Sequence, residues 1–299
     1  DWAGHPVTLP LPIIIYEQNK GLSVFSSSRF EHGHSSYNGY KIEKNHIAAI
    51  NEDGSINEAA SSNIWDISIT KNVASLIFSI LLMCWIFISV ARTYSENMDK
   101  PPKGMQSLLE PIIIFVRDDI AKSIIGEKNY RKYLPFLLTI FFFIWINNLL
   151  GLIPIIPGGA NLTGNIAITM TLAVFTFLIT SFSGNRHYWR HIFAMPGVPV
   201  GVLFILTPIE IMGVFLKPFV LMIRLFANMA AGHIIALSFI SLIFIFGEMH
   251  IIAGYGVSIL SIAFTIFMTL LELLVAFLQA YVFALLSAIY FSMATEEHH

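Results

Sequence analysis

Residues 208–246, PIEIMGVFLKPFVLMIRLFANMAAGHIIALSFISLIFIF, decide how this chain folds. They form an almost unbroken run of helix-forming apolar residues. As a single helix rising about 1.5 Å per residue, the run would be roughly 58 Å long. The hydrocarbon core of a bilayer is only about 30 Å thick. The run is therefore a membrane segment, yet too long to stand upright, and an ordinary tilt of about 20° absorbs little of the excess. Residues 254–294 are oversized in the same way. Either each segment is broken, with Pro218 and Gly232 as kink sites in the first, or both lie steeply tilted. Neither break alone leaves two full spans, which favours the tilt. Such helices would wrap along the side of another body.

The rest of the chain agrees. Of 299 residues, 56% are hydrophobic and 12% charged, with a mean hydropathy of +0.71. Soluble domains carry about twice that charge. No Asp, Glu, Lys or Arg occurs in residues 133–185. Long Leu/Ile/Phe runs exclude an outer-membrane barrel, whose strands alternate. The expected class is an all-α polytopic membrane protein. Cys84 stands inside an apolar run and gives no redox information. The chain begins at Asp1, which fits a product whose signal peptide has been removed, or a truncated chain.

Residues 1–70 are a different material, rich in Ser, Asn, Gly and His. HPVTLPLPIIIYE and GLSVFSSSRF suggest short strands, a hairpin in a small extracytoplasmic segment. The membrane domain is expected over 71–299. Its helices are expected at about 72–91, 105–126, 133–152, 165–183, 208–247 and 254–294. The first is one upright span. The second, MQSLLEPIIIFVRDDIAKSIIG, is interrupted by Glu110, Arg117, Asp118, Asp119 and Lys122 and reads as an amphipathic surface helix. The third and fourth make a short spanning hairpin, followed by a basic, aromatic interfacial loop, SGNRHYWRH. Residues 92–132 hold eight Lys and Arg, and Arg186 and Arg190 fall on the same side. The positive-inside rule puts these in the cytoplasm with the C-terminus, and the N-terminus outside.

The polar residues inside the long segments carry the functional question. On a helical wheel Glu210, Lys217, Arg224 and Asn228 fall within about 40° of one another, while His233 lies about 140° from Glu210. Glu248 and His250 sit near the far end. On the second long segment Thr265, Glu272 and Gln279 are spaced by seven, with Tyr290 on the same side. Asn147, Asn148, Asn161 and Asn165 gather around the turn of the short hairpin. Asn165, Thr169, Thr176 and Ser183 form a helical stripe. Amides and hydroxyls such as Asn228, Asn148 and Gln279 also serve as interhelical glue. Lys217 and Glu248 can snorkel or pair near an interface. Arg224 is harder to explain structurally, because a guanidinium keeps its charge at any depth. Glu272 and His233 both titrate, and titratable groups inside a membrane mark proton or ion paths. Phosphate loops, metal-ligand spacings and nucleophile triads are absent from the sequence. Neither a metal, a cofactor nor a nucleic-acid partner is expected.

RLFANMAAGH (224–233) and LLELLVAFLQAYVFALLSAIYFSMA (270–294), with NNLLGLIP (147–154) and NIAITMTLAVF (165–175), resemble subunit a of the bacterial F-type ATP synthase over about residues 70–297. The resemblance implies a non-catalytic, proton-conducting stator subunit in the bacterial inner (plasma) membrane. It would work beside a ring of rotor c subunits, with b-type peripheral-stalk subunits, the remainder of the complex and membrane lipids. Arg224 would be the essential stator arginine, with Asn228 one turn later, Glu210 the acidic residue fourteen before it and Gln279 the motif glutamine. His233 stands where some members have Glu, and Glu272 where the same members have His. The exchange keeps one carboxylate and one imidazole in the path. One departure is Val220 and Met222, where small residues are common. Protons would pass Asn165, His233, Glu272 and Gln279 through one half-channel and leave near Glu210 through a second. The imidazole–carboxylate pair favours H⁺ over Na⁺. A stand-alone secondary transporter or channel is the alternative, but its usual paired repeats are not visible.

Overall fold

The computed structural model describes residues 10–296 apart from 19, 34, 44–45, 52, 97–100, 154–161, 194, 196–197 and 250. For residues 32, 59, 96, 200, 233, 249 and 251–254 it describes the backbone alone. Residues 1–77 and 78–299 form two compact units.

The first unit is built on strands. β1 (Pro12–Glu17) and β2 (Gly21–Ser26) form an antiparallel hairpin, and the short β5 (Ile64–Asp66) pairs with the other edge of β1. β3 (Tyr40–Glu43) and β4 (His46–Ala49) form a second hairpin, followed by a one-turn helix, α1 (Glu58–Ser61). Alternation sends Ile13, Ile15 and Glu17 to one face of β1. There Ile13 and Ile15 join Phe30, Tyr40 and Ala49 in a small core. The buried Glu17 accepts a hydrogen bond from the Tyr40 hydroxyl at 2.7 Å, and Lys20 lies 3.4 Å from the same oxygen. Burial, and then the bond to Glu17, push the Tyr40 phenol up to about 12. The first hairpin is the one the sequence suggests. The other strands have only three or four residues each, too short for alternation to show.

The second unit is helical. α2 (Lys71–Glu96) begins in the first unit and continues into it. α3 (Met105–Phe115) runs without a break through a π-helical turn (Val116–Lys122) into α4 (Ser123–Ile125). The wide turn keeps Leu109, Val116, Ile120 and Ile125 on one buried face while Arg117, Asp119 and Lys122 stay outside. Gly126, at φ 87°, ends the run in a conformation open to glycine. α5 (Tyr130–Leu152) and α6 (Ile166–Ser183) follow. The SGNRHYWRH segment, expected as a loop, instead forms most of α7 (Arg186–Phe193), which buries Tyr188 and Ile192 one turn apart. Asn185 caps it by accepting from Tyr188 N at 2.8 Å, and its amide reaches Glu296 O at 2.7 Å.

α8 (Val200–Met249) is a continuous helix of 50 residues, about 75 Å at about 1.5 Å per residue. It starts ahead of Pro208 and runs through both Pro208 and Pro218. Lys217 and Pro218 border a cavity against α6, a place where the lost backbone bonds are tolerated. α9 (Ile251–Thr295) has 45 residues. Lys217 approaches Tyr290, Gly232 approaches Glu272, and Phe239 stacks on Phe264 at 5.2 Å. These contacts run in opposite chain directions, so α8 and α9 are antiparallel. Among the described residues, five helices are long and apolar enough to cross a membrane: α2, α5, α6, α8 and α9.

The core lies between α5, the α3–α4 run and the second half of α9. Along α9 the residues Ala276, Ala280, Ala284 and Ala288 are fully buried at four-residue spacing, a small-residue ridge that allows α5 to come close. Rings fill the space beside it, with Tyr133 stacked on Phe291 and Phe277 edge-on to Phe141 and Trp145. The first half of α9 differs. Among its described residues only Ser261 is buried ahead of Ala276.

Candidate functional site

α8 and α9 position three groups of polar side chains. The first is at the end where α7 packs. Glu210 and Lys217 line one cleft of about 220 Å³ together with His187, Tyr188, His191 and Glu296. The Lys217 ammonium lies 5.7 Å from the Tyr290 ring centroid, within cation–π range. Burial, and then the charge of Glu210, raise the Tyr188 phenol above its ordinary value. A narrow cavity next to the cleft is lined by Lys217, Tyr290, Tyr188 and the α6 hydroxyls Thr176, Thr180 and Ser181. Thr176 Oγ1 and Ser287 Oγ stand 3.5 Å apart where α6 meets α9. Thr176, Thr180 and Ser287 also donate to carbonyls four residues back in their own helices, whereas the buried Ser181 hydroxyl has no hydrogen-bond partner among the described residues.

Arg224 and Asn228 form the second group, both exposed on α8. They share an exposed apolar surface with Phe219, Val220 and Ile223, while Leu221, Met222 and Leu225 point into the core. Of the two positions where small residues are common, then, only Val220 stands on the side of Arg224. Among the described residues no carboxylate lies within ion-pairing distance of the guanidinium.

The third group surrounds Glu272. Its carboxyl group packs against Gly232 so closely that a methyl group there would strike it. His233 follows Gly232 directly, but its side chain lies outside the described atoms. Gln279, two turns on along α9, is buried. Between them Asn148 of α5 donates to the Ala276 carbonyl at 3.2 Å and accepts from Thr163 at 2.6 Å. That amide ties α5, the loop before α6 and α9 together. Asn165 is the N-cap of α6, its side-chain oxygen accepting from Ala167 N at 2.9 Å. Glu248 is exposed near the end of α8, while His250 and Asn161 lie outside the described residues.

A family model described as ATP synthase A chain matches residues 73–292, which takes in all three groups except Glu296. The chain belongs to that family. Related chains named ATP synthase subunit a span several bacteria. "ATP synthase subunit a 2" of Chlorobaculum tepidum is 48% identical over 238 residues, 77% of this chain and 64% of the relative. The Chloroherpeton thalassium subunit is 43% identical over 242 residues, 78% of this chain and 69% of its own. That of Myxococcus xanthus is 41% identical over 241 residues, 78% and 75% of the two chains. This chain thus spans a little under two thirds of the first relative's length. Residues 1–67 match a second family model, described as a domain of unknown function.

The sequence places Arg224, Asn228, Glu210, Lys217, Glu272 and Gln279 on the two long apolar segments, but it gives no reason to single out Tyr188, His187, His191 or Glu296. Their only signal is the amphipathic spacing of Tyr188 and Ile192 in a short basic segment.

Proposed function

We propose that this chain is the proton-conducting stator subunit of an F-type ATP synthase in a bacterial plasma membrane. The observation that carries the proposal is Arg224, a permanent cation with no carboxylate beside it among the described residues, on an exposed apolar face of a helix too long for an upright span. A charge at such a place needs a partner from another chain. Rotor subunits, each with one carboxyl group, supply it. Residues 71–299 form the membrane domain, residues 1–70 lie on the extracytoplasmic side, and the C-terminus is cytoplasmic. α8 and α9 lie steeply inclined along the rotor, and the α3–α4 run lies on the membrane surface.

Protons enter from outside along Asn165, His233, Glu272 and Gln279 and reach a rotor carboxylate. A neutral carboxyl enters lipid at little cost, a charged one does not. After nearly a full turn it meets the second half-channel, the cleft holding Glu210 and Lys217 with the Tyr290-lined cavity next to it, and gives up its proton there. Arg224 pairs with the carboxylate so formed. Its fixed charge also blocks a proton from passing straight between half-channels. Each proton crossing contributes about 2.3 kcal/mol per 100 mV to rotation. Asn228 orients the incoming carboxyl. Glu248 and His250 would lie near the outer mouth, and Asn148 holds the entry helices in place.

Arg224→Lys tests the assignment in the assembled complex. A lysine ammonium is more readily deprotonated when desolvated, so coupled ATP synthesis is expected to be lost. Robust ATP-driven proton pumping by that variant would refute the role. An exposed cation on an apolar face also speaks against a stand-alone transporter, which would enclose its own site.

A further inference from the structure

The three-stranded sheet of the first unit has two unlike faces. One covers the small core around Ile15 and Phe30. The other presents Ile14, Tyr16, Leu22, Val24, Trp65 and Ile67. Register puts them together, since Tyr16 pairs with both Leu22 and Trp65, Ile14 pairs with Val24, and Ile67 N donates to Ile14 O. All six are apolar or aromatic, and the five besides Ile14 range from 45% exposed at Tyr16 to 71% at Trp65. Scattered exposed apolar residues need no explanation, but a contiguous sheet face marks an interaction surface.

The chain itself limits what can cover it. The pairing of β5 with β1 continues past Asp66, where Ile69 N donates to Pro12 O at 3.2 Å. The next residue, Thr70, caps α2 by accepting from Val73 N at 3.4 Å, and its carbonyl accepts from Ala74 N at 2.9 Å. Four residues, 67–70, lead from the sheet to the first turn of α2. Ile67 lies four residues ahead of Lys71, so it stands at most about 14 Å from the start of a span. The three strands are together only about 10 Å wide. The whole face is therefore held near the plane where α2 enters the bilayer. Trp and Tyr are the side chains that favour that depth, where the ring meets acyl chains and the polar atom meets water and headgroups.

We infer that this sheet face is a membrane-seating surface. Ile14, Val24 and Ile67 dip among the acyl chains, Trp65 and Tyr16 rest at headgroup level, and the sheet becomes a foot fixing the start of α2. The inference does not depend on proton conduction. The core-facing side of the sheet remains closed, so seating requires no unfolding.

Single cysteines at Val24, Ile67 and, as a polar reference, Ser55 in the full chain with Cys84→Ser provide the test. Each is labelled with a small fluorophore in phosphatidylcholine vesicles containing lipid spin-labelled near the headgroup. Quenching by the lipid spin label is expected to be several-fold stronger at 24 and 67 than at 55, with aqueous iodide giving the opposite order. A label-free check is the Trp65 emission, taken as the difference from Trp65→Phe, which brominated lipid should quench. Two results would overturn the inference. Either 24 and 67 are as open to iodide as 55, or they are shielded from both quenchers, which would mean a protein cover such as residues 1–9 or another subunit.

Discussion

Gly232→Ala isolates the placement of Glu272 from its chemistry. A Cβ on Gly232 would lie 2.5 Å from Glu272 Oε1 and 3.2 Å from its Cδ and Cγ. Contact between such atoms is comfortable at about 3.5 Å, so the carboxyl end must retreat by about 1 Å. The atom struck is the tip of a flexible side chain, and moving it off its rotamer costs about 0.5–1.5 kcal/mol. Alanine recovers about 1 kcal/mol of helix propensity. The two nearly cancel, so folding and assembly should be unchanged. Proton transfer is less tolerant, because a 1 Å misplacement of a reacting group costs up to about a hundredfold. Proton uptake into vesicles carrying the membrane sector, driven by a potassium diffusion potential, should fall about tenfold or more. Gly247→Ala is the control: it makes the same substitution on the same helix, and its Cβ meets nothing within 4 Å. Parental flux in Gly232→Ala, with the complex intact, would refute the idea that the position of Glu272 matters to conduction.

Glu272→Leu should leave the subunit assembled while slowing the same uptake severely; unchanged flux would make Glu272 purely structural. Asn148→Leu removes two buried hydrogen bonds, to Ala276 and Thr163, and should cost about 1–3 kcal/mol in thermal unfolding of the purified complex. An unaltered transition would show that the amide is not a tie between helices. Tyr40 has a folded-state phenol pushed from 10.0 up to about 12, so the folded unit prefers the neutral phenol. Its contribution is complete below pH 10 and is lost as pH rises toward 12. Amide exchange over residues 10–67 should therefore quicken across that range, and in Tyr40→Phe this step should vanish.

Much of this was legible in the sequence, for physical reasons. Apolar runs without charge can only be membrane helices, and Arg224 inside one can only be functional or very costly. The wheel that groups Glu210 with Lys217 rests on a continuous helix, and α8 runs unbroken through both Pro208 and Pro218. What stayed hidden depends on contacts between distant segments. Tyr188 reaches the Glu210 cleft only because α7 folds back beside α8, and nothing local to SGNRHYWRH announces it. Gly232 reads as a kink site until Glu272 is seen lying on it. Asn148 reads as one amide among four until its two partners, on different elements, are in view.

The uneven burial of α9 has a mechanical meaning. From Ala276 onward the helix is held on several sides, as a beam set in a wall; before it, α9 leans on little but α8. A sideways push on the free part is carried as a bending moment, and that moment is greatest at the root. Glu272 sits one turn from the root, on the last part of the beam before the wall. Loads that flex the hairpin through a large arc at its tip would move Glu272 very little, so this carboxylate rests at the stillest point of the part that bends.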